Sequence, residues 1–381
     1  MFPTFISISI FHPPARDRFD LCVARRRRVN GDDGLFSIDD AGREEGEKTD
    51  ALATRPTALG GRFRAITTQD GSRGRDGPTD EDLHELRDVI IHCDGSVEVL
   101  GGLSEDIARD VPVLCEQAKD FVLECVTELP VKTPVYAALV GLVNSKEGEF
   151  GERVAEATRE ALVESLNGED VGQRTRARLL TRFLLMLSTV GVVSRKDALE
   201  YLSSLISSAK DLAEGGSVGW QPRADWLAYV ALSALPWGGE TLSKSEVSNE
   251  MEALLDMATE YCSARTTHPD AASTIIKSAD GHEIDWFVDL CNRLNAARTD
   301  GNWHILSIPT IAEPFVETLS SAANAHGFAA IKLEQKKYAN HTEAVAQYPG
   351  RSMLRYANAS HSTVKLSPLT TAMKTHFFIS R

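Results

Sequence analysis

The sequence predicts an all-α protein, an α-solenoid of HEAT-like antiparallel helix pairs, on three observations. From Thr79 to about residue 265, apolar residues recur at i, i+3, i+4 and i+7 in one segment after another. Short Gly/Pro turns divide these segments into lengths of roughly 12 to 20 residues, and no alternating apolar and polar run marks a strand there. Stacked helical hairpins of this kind bury their apolar faces only against their neighbours. No strict repeat period is visible, so the solenoid is a preference over a compact bundle.

Residues 1–78 mix Arg, Asp, Gly, Thr and Pro without apolar period and end in Gly71-Ser72-Arg73-Gly74-Arg75-Asp76-Gly77-Pro78, the composition of a disordered leader. Its dense basic cluster Arg25, Arg26, Arg27, Arg28 admits two readings, a solvated charge run or a nuclear-import address or polyanion contact. The helical-repeat domain, residues 79–265, opens with Thr79 and Asp82 at capping-box spacing ahead of Leu83, Leu86, Val89 and Ile90. The next helix is expected after Pro112, with Leu114, Ala118, Phe121, Val122 and Cys125 in period and Pro130 as its stop. Thr133 as N-cap with Pro134 in the first turn opens another through Tyr136, Leu139, Val140 and Val143. Gly148 and Gly151 flank its successor, and Leu180, Phe183, Leu184 and Leu187 carry the one after, closed near Gly191. Ser194 and Asp197 repeat the capping spacing before Leu199, Leu202, Leu205 and Ile206.

The Trp-rich segment from Asp225 to Gly239 follows. Trp226, Tyr229, Val230, Ser233 and Trp237 fall at i, i+3, i+4, i+7 and i+11, a single helical face that must be buried. Pro236 is expected to end that helix near Leu235, with Gly238-Gly239 turning the chain. Burying one aromatic removes ~150–250 Å² from water, about 4–6 kcal/mol at most, against ~1–3 kcal/mol for stacking one base. Asp225 and Trp226 therefore read as core and not as a recognition pair. Ser243 and Glu246 are expected to cap a last helix through Met251, Leu254, Leu255 and Tyr261. Residues 266–330 form a helical extension or linker, with loops at His268-Pro269 and Asp280-Gly281-His282 and helices over 284–297 and 311–325; residues 331–381 read as a poorly ordered tail.

The net charge of -14 is unevenly spread. Residues 1–78 carry 13 Lys+Arg against 12 Asp+Glu, 79–330 carry 20 against 41, and 331–381 carry 8 against 2, giving +1, -21 and +6. An acidic body repels a phosphate backbone, so direct RNA binding by the central segment is disfavoured. The six cysteines, at 22, 93, 115, 125, 262 and 291, form no C-x-x-C pair and read as buried reduced thiols. No apolar run approaches the ~20 residues of a membrane span, and Met1 to Phe11 lacks the basic start and cleavage site of a signal peptide.

Local devices for chemistry are missing from the sequence: no phosphate loop, dinucleotide fingerprint or nucleophile elbow occurs. His282-Glu283-Ile284-Asp285-Trp286 begins like a zinc helix, but Trp286 stands where the second ligand belongs. Acidic pairs such as Glu81/Asp82 and Glu169/Asp170 read as solvated faces, and Asn340-His341-Thr342 and Asn358-Ala359-Ser360 as chance sequons. No catalytic residue, metal or cofactor is expected.

The pattern Asp225-Trp226-x-x-Tyr229-x-x-Leu232-Ser233-x-Leu235-Pro236-Trp237-x-Gly239-x-x-Leu242 resembles the large subunit of the nuclear cap-binding complex. A second block agrees in order and spacing: Thr133-Pro134-Val135-Tyr136, Leu139-Val140-Gly141-Leu142, Asn144, then Phe150-Gly151. Weaker similarity runs from Trp303-His304-Ile305-Leu306 to Phe328 and again near Tyr348-Pro349. The resemblance implies the helical fold of the middle domain of initiation factor 4 gamma, with Tyr136, Gly141, Asn144, Asp225, Trp226, Tyr229, Pro236 and Trp237 as structural signature. It also implies a non-enzymatic nuclear scaffold, shuttling to the cytoplasm. Such a scaffold holds a small RRM-containing partner that grips the cap, so that capped RNA is contacted indirectly, and serves splicing, export, surveillance and small-RNA processing through adaptors, with no membrane. It places Arg25 to Arg28 where the family carries its import signal. In that family two further helical domains supply most of the surface for the small subunit; this chain ends before them, as expected of a truncated or misspliced product. The weighed alternative is a cytoplasmic translation-initiation scaffold on the same fold.

Overall fold

The computed structural model describes residues 78–348 except 169, 217–218, 266–274, 278–282, 304–312, 321–324, 335, 337 and 339–340. The leader with Arg25 to Arg28, Cys22, His282 and residues 349–381 lie outside the described residues.

Twelve α-helices succeed one another among the described residues. They are α1 (Asp80–His92), α2 (Val97–Glu128), α3 (Thr133–Asn144), α4 (Gly148–Asn167), α5 (Val171–Thr189), α6 (Arg195–Gly215), α7 (Trp220–Leu232), α8 (Leu235–Ser243), α9 (Ser248–Ala264), α10 (Trp286–Asp300), α11 (Glu313–Ser320) and α12 (His341–Gln347). Strands β1 (Ile275–Lys277) and β2 (Glu283–Asp285) pair antiparallel ahead of α10, beyond the helical body. Helices α2/α3, α4/α5 and α6/α7 pack as successive pairs, each touching the next, and α9 packs on α6. The core is continuous through the stack, with Leu114, Leu139, Phe150, Phe183, Leu205, Trp226 and Tyr261 all closed to solvent.

Local signals explain several boundaries. Thr79 and Asp82 form the expected reciprocal cap, with Asp82 N donating to Thr79 Oγ1 at 3.2 Å and Thr79 N to Asp82 Oδ2 at 3.0 Å. Ser194 Oγ accepts from Asp197 N at 3.3 Å. Elsewhere proline corrects the expectation. Pro112 lies inside the 32-residue α2, whose apolar face is buried on both sides of it by Leu103 and Ile107 and by Leu114 and Val122. Tertiary burial there offsets the ~3 kcal/mol an interior proline costs. Pro236 likewise does not close the Trp-rich helix near Leu235. Its missing amide and its ring act on the carbonyl four residues back, and α7 accordingly ends at Leu232. Pro236 then sits in the first turn of α8, where no donor is needed, and Gly238-Gly239 are helical instead of turning the chain. Trp226 and Trp237 therefore belong to different helices. The Ser243/Glu246 cap does not form either: Ser243 Oγ donates back to Glu240 O at 2.9 Å, ending α8, and α9 starts at Ser248 without a side-chain cap.

The segment after α10 departs most from expectation. Leu319, Phe328, Ile331 and Tyr348 are buried, so part of the stretch read as linker and tail is a strap laid back on the body. Helix α11 packs on α3 and α12 on α7, contacts between elements far apart in the chain.

Glycines separate two kinds of helical position. A Cβ at Gly101 or Gly102 in α2 meets no atom within 4 Å, whereas one at Gly239 would lie 2.6 Å from the Trp303 ring. Gly101→Ala is expected to raise stability by about 0.5–1 kcal/mol and Gly239→Ala to lower it by about 1–3 kcal/mol, read by urea unfolding. Equal effects at the two positions would remove the packing argument.

Candidate functional site

The Asp225 carboxylate accepts three side-chain hydrogen bonds. Arg265, just past α9, reaches it as a fork, Nε to Oδ1 at 2.6 Å and Nη2 to Oδ2 at 3.0 Å, while Tyr261 Oη donates to Oδ1 at 2.8 Å. Arg265 Nη1 also donates to Asp285 Oδ2 at 3.1 Å. The other oxygen of Asp285 caps α10 by accepting from Phe287 N and Val288 N. Both members of the central pair are closed off, Asp225 at 3% and Arg265 at 4% side-chain exposure. Burial pushes the Asp225 carboxyl above the ordinary carboxylate value, against the pull of Arg265 and Tyr261. It opposes the charge on Arg265 too, but Asp225 and Asp285 more than offset it and hold that guanidinium up. Burial and then Asp225 raise the Tyr261 phenol, which stays a donor. Asp225 thus ties α7, the end of α9 and the start of α10 into one joint.

Three other signature positions, Gly141, Asn144 and Trp226, meet the strap. Asn144 Oδ1 lies 2.8 Å from His326 Nε2, and because an amide oxygen only accepts, the ring nitrogen donates. Gly151 leaves room for that amide, since a Cβ there would collide with Asn144 Oδ1. A Cβ at Gly141 would come within 2.6 Å of Leu319. The backbone of His326 pairs with Val192 O and Ser194 N at 2.8 and 2.9 Å, and Asp197 Oδ2 accepts from Phe328 N at 2.8 Å. Farther on, Asn167 Oδ1 accepts from Glu334 N, and the Tyr348 ring rests on Trp226 with centroids 5.5 Å apart. Tyr136 is fully buried in α3. Tyr229 and Trp237, expected in the core, are only half-buried.

Those two half-buried aromatics border α5, which sequence reading passed over as a plain core helix. It carries Arg174, Arg176, Arg178 and Arg182 and no Asp or Glu. Arg174, Arg178 and Arg182 stand at i, i+4 and i+8, one face of the helix, and each meets a ring. Arg174 Cζ is 4.9 Å from the Tyr348 centroid, Arg178 Nη1 donates to Tyr229 Oη at 3.3 Å, and Arg182 Cζ is 5.3 Å from the Trp237 centroid. Burial and the neighbouring Arg178 charge pull the Arg182 guanidinium down to about 10, so it keeps its proton at neutral pH. The missed signal was available: an acid-free run of arginines at helical spacing inside an acidic body.

Among the described residues no group of three or more His, Cys, Asp or Glu side chains could hold a metal, and no single helix is long and apolar enough to cross a membrane. The open depression lined by Arg195, Glu240, Lys244 and Glu246 has its charges answered internally, Arg195 by Glu246 and Lys244 by Glu240. Cys93, Cys125 and Cys291 are buried free thiols as expected, whereas Cys115 and Cys262 are free but only half-buried, and burial pushes Cys125 up to about 11. Cys262 and Cys291 prove to be spatial neighbours sharing a hydrogen bond, which pulls Cys262 down to about 7.

Stacked helix pairs whose most elaborate side-chain chemistry joins their own elements define a helical-repeat protein. The chain belongs to the MIF4G domain family, which matches residues 98–290. It is similar to Nuclear cap-binding protein subunit 1 of Oryza sativa subsp. japonica, 34% identical over 217 residues, covering 54% of this chain and 24% of the relative. The protein of the same name from Arabidopsis thaliana is 28% identical over 242 residues, covering 62% of this chain and 27% of that relative. The chain therefore spans about a quarter of the length of these curated relatives.

Removing one member of a buried pair strands the other, at about 3–5 kcal/mol. Asp225→Ala is expected to lose stability of that order, and Asp225→Ala combined with Arg265→Met to lose less than the sum of the two single changes, measured by urea unfolding. Strict additivity would show that the joint is not coupled.

Proposed function

We propose that the chain is a non-enzymatic scaffold of the nuclear cap-binding complex. In this reading its helical stack holds a small RRM-containing subunit that grips the 7-methylguanosine cap, so capped RNA reaches the scaffold indirectly. Outer surfaces recruit the adaptors for splicing, export and RNA surveillance. Similarity to two proteins named Nuclear cap-binding protein subunit 1, on a MIF4G domain, carries this reading. The acidic body supports it, because a segment with a charge of -21 is a poor phosphate binder and needs a partner to contact RNA.

Retention on a cap-analogue resin separates the alternatives. The chain alone should pass through, and the chain with the small subunit should be retained. Retention of the chain alone, or recovery of helicase-type initiation factors instead of an RRM protein from nuclear extract, would overturn the reading.

We further assign Arg25, Arg26, Arg27 and Arg28 as an import address and the nucleus, with shuttling to the cytoplasm, as the location. A fluorescent fusion should be nuclear, and replacing all four arginines by alanine should leave it mainly cytoplasmic; unchanged distribution would return the cluster to a solvated charge run.

A further inference from the structure

We propose that the arginine face of α5, Arg178 and Arg182 with Tyr229 and Trp237, is a docking site for a short acidic segment of a partner protein, an Asp/Glu-x-Asp/Glu stretch bound in extended conformation. This goes beyond the cap-binding reading and does not depend on it.

The four arginines of α5 are not equivalent. Arg174 is 6% exposed beneath Tyr348, and Arg176 is paired with Glu164 at 3.0 Å. Arg178 and Arg182 are half-buried, and among the described residues neither has a carboxylate within ion-pair distance. The protein answers them only in part: Arg178 Nη1 reaches Tyr229 Oη at 3.3 Å, but Arg178 Nε, Arg182 Nε and Trp237 Nε1 are all buried without a hydrogen-bond partner. Two like charges side by side, with three unanswered donors behind them, are a costly arrangement for a protein with 41 acidic residues in the same segment. Among the described residues no carboxylate answers their positive charge, which leaves it to be answered from the outer side by groups that accept and do not donate. Carboxylates meet that condition, and guanidinium forks suit them. The Trp237 ring face holds the Arg182 fork and the Tyr229 hydroxyl, accepting from Arg178 Nη1, holds the other.

Geometry limits the ligand further. Four residues of helix separate the two guanidiniums by about 6 Å of rise. Alternate side chains of an extended peptide lie on one side about 6.6–6.8 Å apart, so carboxylates two residues apart match both forks. Successive phosphates of RNA have a comparable spacing, but a strand long enough to bind would carry further phosphates across a segment of charge -21, which repels them. A segment whose charge is confined to two carboxylates avoids that repulsion. The observations therefore favour a peptide over nucleic acid.

The test uses the full chain and fluorescence anisotropy with three labelled probes: a Gly/Ser/Leu peptide carrying Asp-Ser-Asp, the same peptide with Asn-Ser-Asn, and an oligouridylate. The Asp peptide is expected to bind at least about tenfold more tightly than the Asn peptide, as two charge-assisted contacts require. Arg178→Gln with Arg182→Gln should bring its affinity down to the Asn level, while Arg159→Gln, at an exposed pair on α4, should change nothing. Equal or absent binding of both peptides would overturn the proposal, as would oligouridylate displacing the Asp peptide from the arginine face. Should the double variant fail to fold by circular dichroism, the unmodified chain still decides, since affinity must fall with added salt for the Asp peptide alone.

Discussion

The structure depends on one buried ion pair. Asp225 and Arg265 meet where three elements converge, and the pair is a joint because each partner is held twice. Asp225 has the guanidinium fork and the Tyr261 hydroxyl, and Arg265 has Asp225 and Asp285. Isolated, either charge would be expelled from such a site. Together they fix the end of α9 against the middle of α7, and through Asp285 they set where α10 begins. Hydrophobic contact alone would allow these helices to slide. A bidentate carboxylate–guanidinium pair has one geometry, and the Arg265 plane is further fixed 4.5 Å from the Phe287 ring.

The strap depends on that alignment. It touches the body at positions widely separated in sequence: α3 through Leu319 and Asn144, the turn before α6 through His326, the end of α4 through Glu334, and α7 through Tyr348. Those receptors present one continuous track only if the helix pairs are in register. A strict solenoid has nearest-neighbour contacts alone and can fray from its end. Here the chain returns from the last pairs to the first, which converts a one-dimensional stack into a closed one. The signature glycines fit this account. Gly141, Gly151 and Gly239 all lie inside helices, where glycine is unfavourable, and each leaves space for a specific side chain: Leu319, Asn144 and Trp303.

The helices were legible because amphipathic period is local information, and the reciprocal caps at Thr79 and Ser194 were legible for the same reason. Proline was misread twice, at Pro112 and Pro236, since its effect on a helix depends on what the neighbouring turns bury and on which carbonyl it faces. The strap was not legible. Residues such as His326 and Glu334 show no period, because extended chain packed on a preformed surface takes its order from that surface. Asp225 was correctly assigned to the interior, but its partner lay 40 residues away in a position with no pattern around it. The arginine face could have been read, as its spacing is helical and its lack of acids is plain. A segment-wide charge sum concealed it.

That sum and the local arrangement answer different questions. A charge of -21 governs what approaches from a distance, and it weakens beyond about 8–10 Å at physiological ionic strength. Within that distance the individual groups decide. Many basic side chains are answered by acids in short pairs such as Arg159–Glu156 and Lys210–Glu260. At Arg178 and Arg182 of α5 no such pair forms among the described residues, and the Arg182 guanidinium rests on the Trp237 ring, which cannot cancel its charge. An overall acidic field with one uncompensated basic line rejects extended polyanions while leaving a foothold for a ligand whose negative charge is small and concentrated. Selectivity among anions then follows from the contrast between the two length scales, which neither the net charge nor the arginines would provide alone.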